Sequence, residues 1–141
     1  MIHADHALGP KDVFLDSLAR CDHDQRFIAK FYERFTASSP EVQAKFAFTD
    51  FTRQQRMLRR SLELIAKATA GDSEGLRELN DRAETHGRTA LRIEPALYDL
   101  WLEALLATAA ECDAAWTAHV EGAWREILGI AIHHMTKKYD E

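Results

Sequence analysis

His86 is the only histidine between Asp24 and Ala118. It follows Leu76, Leu79 and Ala83 at the three- and four-residue spacing of one helix face, and Gly87 after it fits a helix stop. An imidazole where a Leu or Ile is expected offers a nitrogen to a metal or to a hydrogen-bond partner. The remaining histidines are His3, His6, His23, His119 and the adjacent His133 and His134. No two of them are four apart, so a helical zinc or di-iron centre made only of protein ligands is poorly matched. Cys21 and Cys112 add no metal-like spacing and read as two reduced thiols. A cofactor that needs one protein ligand matches better, and haem is the common case because the porphyrin already brings four nitrogens. Taken alone, His86 reads more simply as a core histidine bonded to a carbonyl.

The elements that must position this histidine are all helical. Nothing in the chain alternates with the period of a useful strand. Pro10 suits a first helical turn, and Val13, Phe14 and Leu18 line a short helix ending near Cys21. Asp22 or Asp24 is expected to cap the next helix, whose face carries Phe27, Ile28, Phe31, Tyr32 and Phe35. Ser39, Pro40 and Glu41 together form a helix start: a cap, a first-turn proline and an acid at the positive end of the dipole. Thr49 or Asp50 caps a long helix over 51–71 with Phe51, Gln54, Leu58, Leu62 and Ile65 inward. After the His86 helix come two more, 95–111 with Leu97, Leu100, Trp101, Leu105 and Ala109 inward, and 114–138, with Asp113 as the expected cap between them. The sum is an all-α chain of about seven helices. Residues 1–141 are expected to form one domain, with 1–9 a flexible N-terminus.

These pieces in this order resemble the globin family, and within it the bacterial single-domain globins and the haem domain of flavohaemoglobins. The matching stretches are 31–46 (FYERFTASSPEVQAKF), 54–58 (QQRML), His86, 93–106 (IEPALYDLWLEALL) and Ala123-Trp124. The resemblance implies a globin fold around a haem pocket, haem b as cofactor and His86 as the proximal iron ligand. It puts Phe46 on the haem face at the corner after the third helix, and Tyr32 and Gln54 in the distal pocket. Leu58 lies one turn beyond Gln54, Leu91 and Ile93 flank the haem, and Tyr98 lies near the proximal histidine. Arg88 or Arg92 would pair with a haem propionate. Each residue also has a plainer reading. Tyr32, Tyr98 and Trp101 can be core aromatics, and Trp124 an interior filler. Phe48 or Phe51 can take the role of Phe46, Gln55 can stand in the register of Gln54, and His133 or His134 can approach the haem.

The chemistry implied by the resemblance is coherent. Dioxygen at a ferrous iron gains partial negative charge, and a tyrosine hydroxyl and a glutamine amide are donors suited to it. Such a bond is worth roughly 1.5–3 kcal/mol, enough to slow ligand escape roughly ten- to a hundred-fold. Carbon monoxide gains less. The expected role is reversible binding of dioxygen, with carbon monoxide and nitric oxide as further ligands, in a carrier, scavenger or sensor. The alternatives are an enzyme, a nitric oxide dioxygenase or peroxidase-like, served by an external reductase, and a haemless globin-fold regulatory module. A sensor would need a signalling partner. The sequence departs from the flavohaemoglobin pattern in the last helix, where a glutamate near the proximal histidine is replaced at about Tyr139, and in its loop lengths around Phe46 and after His86. It carries no GxGxxG, so no flavin or nicotinamide domain is expected.

Composition excludes other classes. A net charge of -5 is no nucleic-acid footprint, and no apolar run approaches the ~18 residues of a membrane span. The first residues have no signal-peptide core. A cytoplasmic protein is expected, and the last helix is a candidate for pairing two copies into a homodimer, as the family commonly does.

Overall fold

The computed structural model describes residues 9–69, Arg77 and 94–139, with side chains as far as Thr136. Every regular element of more than one residue among them is a helix: α1 (Pro10–Cys21), α2 (Phe27–Ala37), α3 (Pro40–Lys45), α4 (Phe51–Ala68), α5 (Pro95–Cys112) and α6 (Ala118–Tyr139). The helix expected to carry His86 lies outside the described residues.

Prolines open α1, α3 and α5, where the missing N–H is one that a helix start leaves unbonded anyway. The Ser39 hydroxyl accepts from the Glu41 N–H at 3.1 Å and the Asp50 carboxylate from the Arg53 N–H at 3.3 Å, so both caps stand where the sequence puts them. The start of α2 does not. Arg26 precedes its first turn without a side-chain cap. Asp24 accepts from the Arg26 N–H at 2.8 Å and from Lys30 Nζ at 2.6 Å, holding the tight turn between α1 and α2. Asp22 reaches across to the Arg59 guanidinium of α4.

Asp113 is the larger correction. It does not cap α6, which starts later than expected, at Ala118. Thr117 does that work, its hydroxyl accepting from the Val120 N–H at 3.2 Å. The Asp113 carboxylate turns inward instead, and its side chain is fully buried. Ser17 Oγ donates to it at 2.6 Å, Arg20 donates through Nε at 2.6 Å and Nη2 at 3.0 Å, and the Ala115 N–H donates at 2.8 Å. Trp124 on α6 then donates from Nε1 to Ser17 Oγ at 2.9 Å. A chain of charge-assisted bonds thus ties α1, the α5–α6 connection and α6 together.

Apolar packing surrounds this knot. Trp124 is wholly buried, with Phe14 edge-on at 4.7 Å and Trp116 at 5.8 Å. The α1 helix lies against α6 and α5, and α2 against α5. On α5, Leu97, Leu105 and Ala109 are buried as expected, while Leu100 and Trp101 are half-buried and Tyr98, Ala104, Leu106 and Thr108 are buried too. Contact with three helices widens the apolar stripe beyond a single face. On α4, Leu58, Leu62 and Ile65 are buried, with Phe51 and Gln54 half-buried. Both thiols are free, and burial pushes that of Cys21 up to about 12.

Burial alone would raise the Asp113 carboxyl, but the bonds from Arg20, Ser17 and the Ala115 N–H outweigh it and hold the group below the usual carboxylate value. A depressed folded value means stabilisation that is full above the unfolded aspartate value of about 3.9 and lost as pH falls through the lower folded value. Asp113→Asn should therefore cost about 3 kcal/mol at neutral pH. Urea unfolding at pH 7 and at pH 3 checks this, and the gap from wild type should narrow at the lower pH.

Candidate functional site

Four aromatic rings from three places in the chain meet at one end of the α2–α5 contact. The α2 helix delivers Tyr32 and Phe35, the α3–α4 corner delivers Phe46, and α4 delivers Phe51. Tyr32 is 5% exposed, with its ring centroid 5.8 Å from Phe46 and 5.6 Å from Phe51. Phe46 and Phe51 stack at 6.0 Å, and Phe35 meets Phe46 edge-on at 5.8 Å. Edge-to-face and offset contacts of this kind are the favoured geometries of aromatic pairs. Phe46 and Phe51 are only half-buried, so the cluster keeps an accessible apolar side.

Of the three corner phenylalanines, Phe46 joins Tyr32, Phe51 stacks on Phe46, and Phe48 stands wholly in solvent. The sequence puts Phe51 on the inward face of its helix but in the haem-facing role only as a substitute for Phe46. Its three-residue offset from Gln54, on the helix face that also carries Leu58, is the signal that would have placed it in the cluster. Gln54 and Gln55 are both half-buried and flank the line from Phe51 to Leu58 on its two sides. Leu58 itself is 8% exposed and joins the core.

Tyr98, in the first turns of α5, is the unusual group. It is 6% exposed, and its hydroxyl has no hydrogen-bond partner among the described residues. Burial alone makes it a weaker acid, pushing its pKa up to about 12. A buried hydroxyl without a partner costs on the order of 1–3 kcal/mol, and native proteins rarely leave one so. Such an atom points to a partner beyond the residues described.

His86, Leu91 and Ile93 lie outside the described residues, as do Arg88 and Arg92. His133 on α6 is exposed and His134 half-buried and engaged in a contact of its own. Among the described residues, no three His, Cys, Asp or Glu side chains gather into a group able to hold a metal ion. No helix among them is long and apolar enough to cross a membrane.

Comparison with solved structures supplies the family. The fold superposes on the crystal structure of PA3967 from Pseudomonas aeruginosa PAO1, a protein described as structurally highly homologous to a human hemoglobin, with a TM-score of 0.88. The two are 38% identical over 93% of this chain and 98% of that one. The chain belongs to the globin family. No family model matches it, and no curated protein matches at a significant level.

The globin fold accounts for the shape of the site. The short α3 helix and the corner after it turn the chain so that Phe46 faces Tyr32 of α2 and Phe51 of α4. The residues present fit a flat apolar group, with the half-buried rings of Phe46 and Phe51 to lie against it. In protein freed of any cofactor, Tyr98→Phe removes a hydroxyl that has no partner among the described residues. Its thermal unfolding midpoint should match or exceed that of the parent by up to about 1 kcal/mol in stability.

Proposed function

We propose that this globin binds haem b through the His86 imidazole and reversibly binds dioxygen, with carbon monoxide and nitric oxide competing for the same place. The observation that carries this reading is Tyr32, a ring with a hydroxyl donor built into an otherwise apolar aromatic wall of Phe35, Phe46 and Phe51. The haem, when bound, supplies an iron that one imidazole leaves open to a diatomic gas. The chain's own part is to shape what that gas meets. Phe46, Leu58, Leu91 and Ile93 form the apolar surround that excludes water. Tyr32 and Gln54 are the donors, placed to favour dioxygen over carbon monoxide because a hydrogen bond strengthens with the charge on its acceptor. Tyr98 is buried on α5 with a hydroxyl that needs a partner, and the haem side of the proximal histidine is where this reading puts that partner.

Reversible binding is favoured over turnover because hydrogen-bond donors such as Tyr32 and Gln54 hold a bound gas in place. The role is that of a carrier, scavenger or sensor of dioxygen.

Visible spectra of the purified protein, oxidised, reduced, and under dioxygen and carbon monoxide, test the cofactor. A Soret band should appear in the wild type, vanish in His86→Gly and return with added imidazole. A band unchanged by His86→Gly would overturn the assignment. Stopped-flow ligand release tests the donor. Tyr32→Phe should speed dioxygen escape roughly ten- to a hundred-fold, the loss of a bond worth about 1.5–3 kcal/mol, with a smaller effect on carbon monoxide.

A further inference from the structure

Charge is unevenly spread along this chain. Residues 44–60 hold Lys45, Arg53, Arg56, Arg59 and Arg60 but a single acid, Asp50, in a protein whose net charge is -5. Many cations of the fold have carboxylate partners: Arg20 with Asp113, Arg26 with Glu33, Lys30 with Asp24, Arg34 with Glu111, Arg125 with Glu103 and Glu121. Within the segment, Arg59 follows the same habit with Asp22 and Glu63. Arg53 and Arg56 do not. Both are exposed, three residues apart on one face of α4, and neither has a side-chain partner among the described residues. The Asp50 carboxylate beside them is engaged as the α4 cap.

Between Lys45 and these arginines stands Phe48, at 102% exposure the most exposed large apolar side chain described. Ala44 and Ala47 beside it are exposed as well. A lone surface phenylalanine is unremarkable. An exposed aromatic side chain followed five and eight residues later by exposed arginines with no carboxylate partner among the described residues is another matter, since aromatics and Arg are the residues enriched where protein interfaces draw their energy. The arginines set the sign of the partner. The corner sets the location: Phe46 and Phe51, on either side of Phe48 in the chain, are rings of the Tyr32 cluster.

We infer that the α3–α4 corner, with Phe48 as apolar anchor and Arg53 and Arg56 as its charged flank, docks an acidic one-electron donor protein that keeps this globin's haem reduced. The inference rests on the haem reading above. The reaction is a single electron transfer: a reduced flavin or iron–sulfur carrier in the donor loses one electron, and ferric haem gains it to become ferrous. No bond forms or breaks.

Flavodoxin, an acidic protein with a flavin hydroquinone, serves as the probe. Titration of the globin with oxidised flavodoxin, followed by calorimetry, reads docking without any turnover. Stopped-flow mixing of ferric globin with flavodoxin hydroquinone reads electron transfer. Both should weaken steeply with salt, and both should fall roughly tenfold or more in Arg53→Glu/Arg56→Glu and in Phe48→Ser. Reduction by dithionite should be unchanged in every variant, and Lys67→Glu, an exposed charge reversal at the far end of α4, should behave as wild type. Circular dichroism confirms that the variants fold. Binding and reduction that ignore these substitutions, or the salt concentration, would overturn the proposal. So would binding of the wild type to phosphatidylglycerol vesicles, or self-association abolished by the same substitutions, if flavodoxin does not bind. A protein with no Soret band that still binds flavodoxin through these residues would refute the haem reading and keep the docking surface. A haem-loaded protein indifferent to the substitutions would do the reverse.

Discussion

The buried Asp113 carboxylate is the constraint on which the arrangement depends. Taking a carboxylate out of water is costly unless its oxygens are matched by donors with good geometry. Here Ser17, both nitrogens of the Arg20 fork and the Ala115 N–H supply them, and Trp124 orients Ser17 from the opposite side. The carboxylate's donors come from α1 and the α5–α6 connection, and Trp124 of α6 donates to Ser17 in turn, so the network is complete only when those parts are docked together. The network thereby fixes α1 against α6, and both against α5. Because α2 packs on α5, the same arrangement sets where Tyr32 can stand. The site is far from the knot in sequence and chemistry, yet it inherits its position from it.

Two buried polar groups, Asp113 and Tyr98, are treated in opposite ways. At Asp113 every oxygen is matched. On α5, Tyr98 is buried with its hydroxyl unmatched among the described residues, and in the aromatic cluster Phe46 and Phe51 remain half-exposed. Local consistency marks the part of a fold that specifies structure, and departures from it collect where function lies. A buried hydroxyl without a partner among the described residues is such a departure, and so are incompletely covered aromatic rings. The hydroxyl is not explained by packing, since a phenylalanine would pack as well there at less cost.

The reach of the sequence can be judged residue by residue. Helical class, the proline starts, the Ser39 and Asp50 caps and the Leu58–Leu62–Ile65 stripe were legible, because each depends on neighbours within a turn or two. The globin order of the segments was legible too, and the comparison with PA3967 supports it. The role of Asp113 was not. An aspartate before a helical segment has a local reading as a cap, whereas its partners Ser17 and Arg20 lie 96 and 93 residues away. Asp22 misled for the same reason, its partner being Arg59 on another helix. The burial of α5 was under-read because a helix touched on three sides has no single apolar face. In the site, Tyr32 and Phe46 do meet, and Phe51 joins them. The meeting of Phe51 with Phe46 is a property of how the corner folds, which spacing alone does not reveal. His86, Leu91 and Ile93 lie outside the described residues, and their roles rest on the proposed function.

The corner between α3 and α4 shows how one short segment can face two ways. Phe46 turns toward Tyr32 and Phe35 and closes the aromatic cluster. Phe48, two residues later, projects into water, and Phe51 returns to stack on Phe46 once α4 has begun. No helix spans this segment, so the alternation is free of the helical period. It puts apolar surface on the inside, where a cofactor would need it, and on the outside, where only a partner would. Arginines without carboxylate partners among the described residues follow on the exposed face of α4, in a protein that pairs many of its other cations. Inward ring, outward ring and exposed charge thus share one corner: a wall for a bound group on one side, and on the other a contact through which that group can be reached.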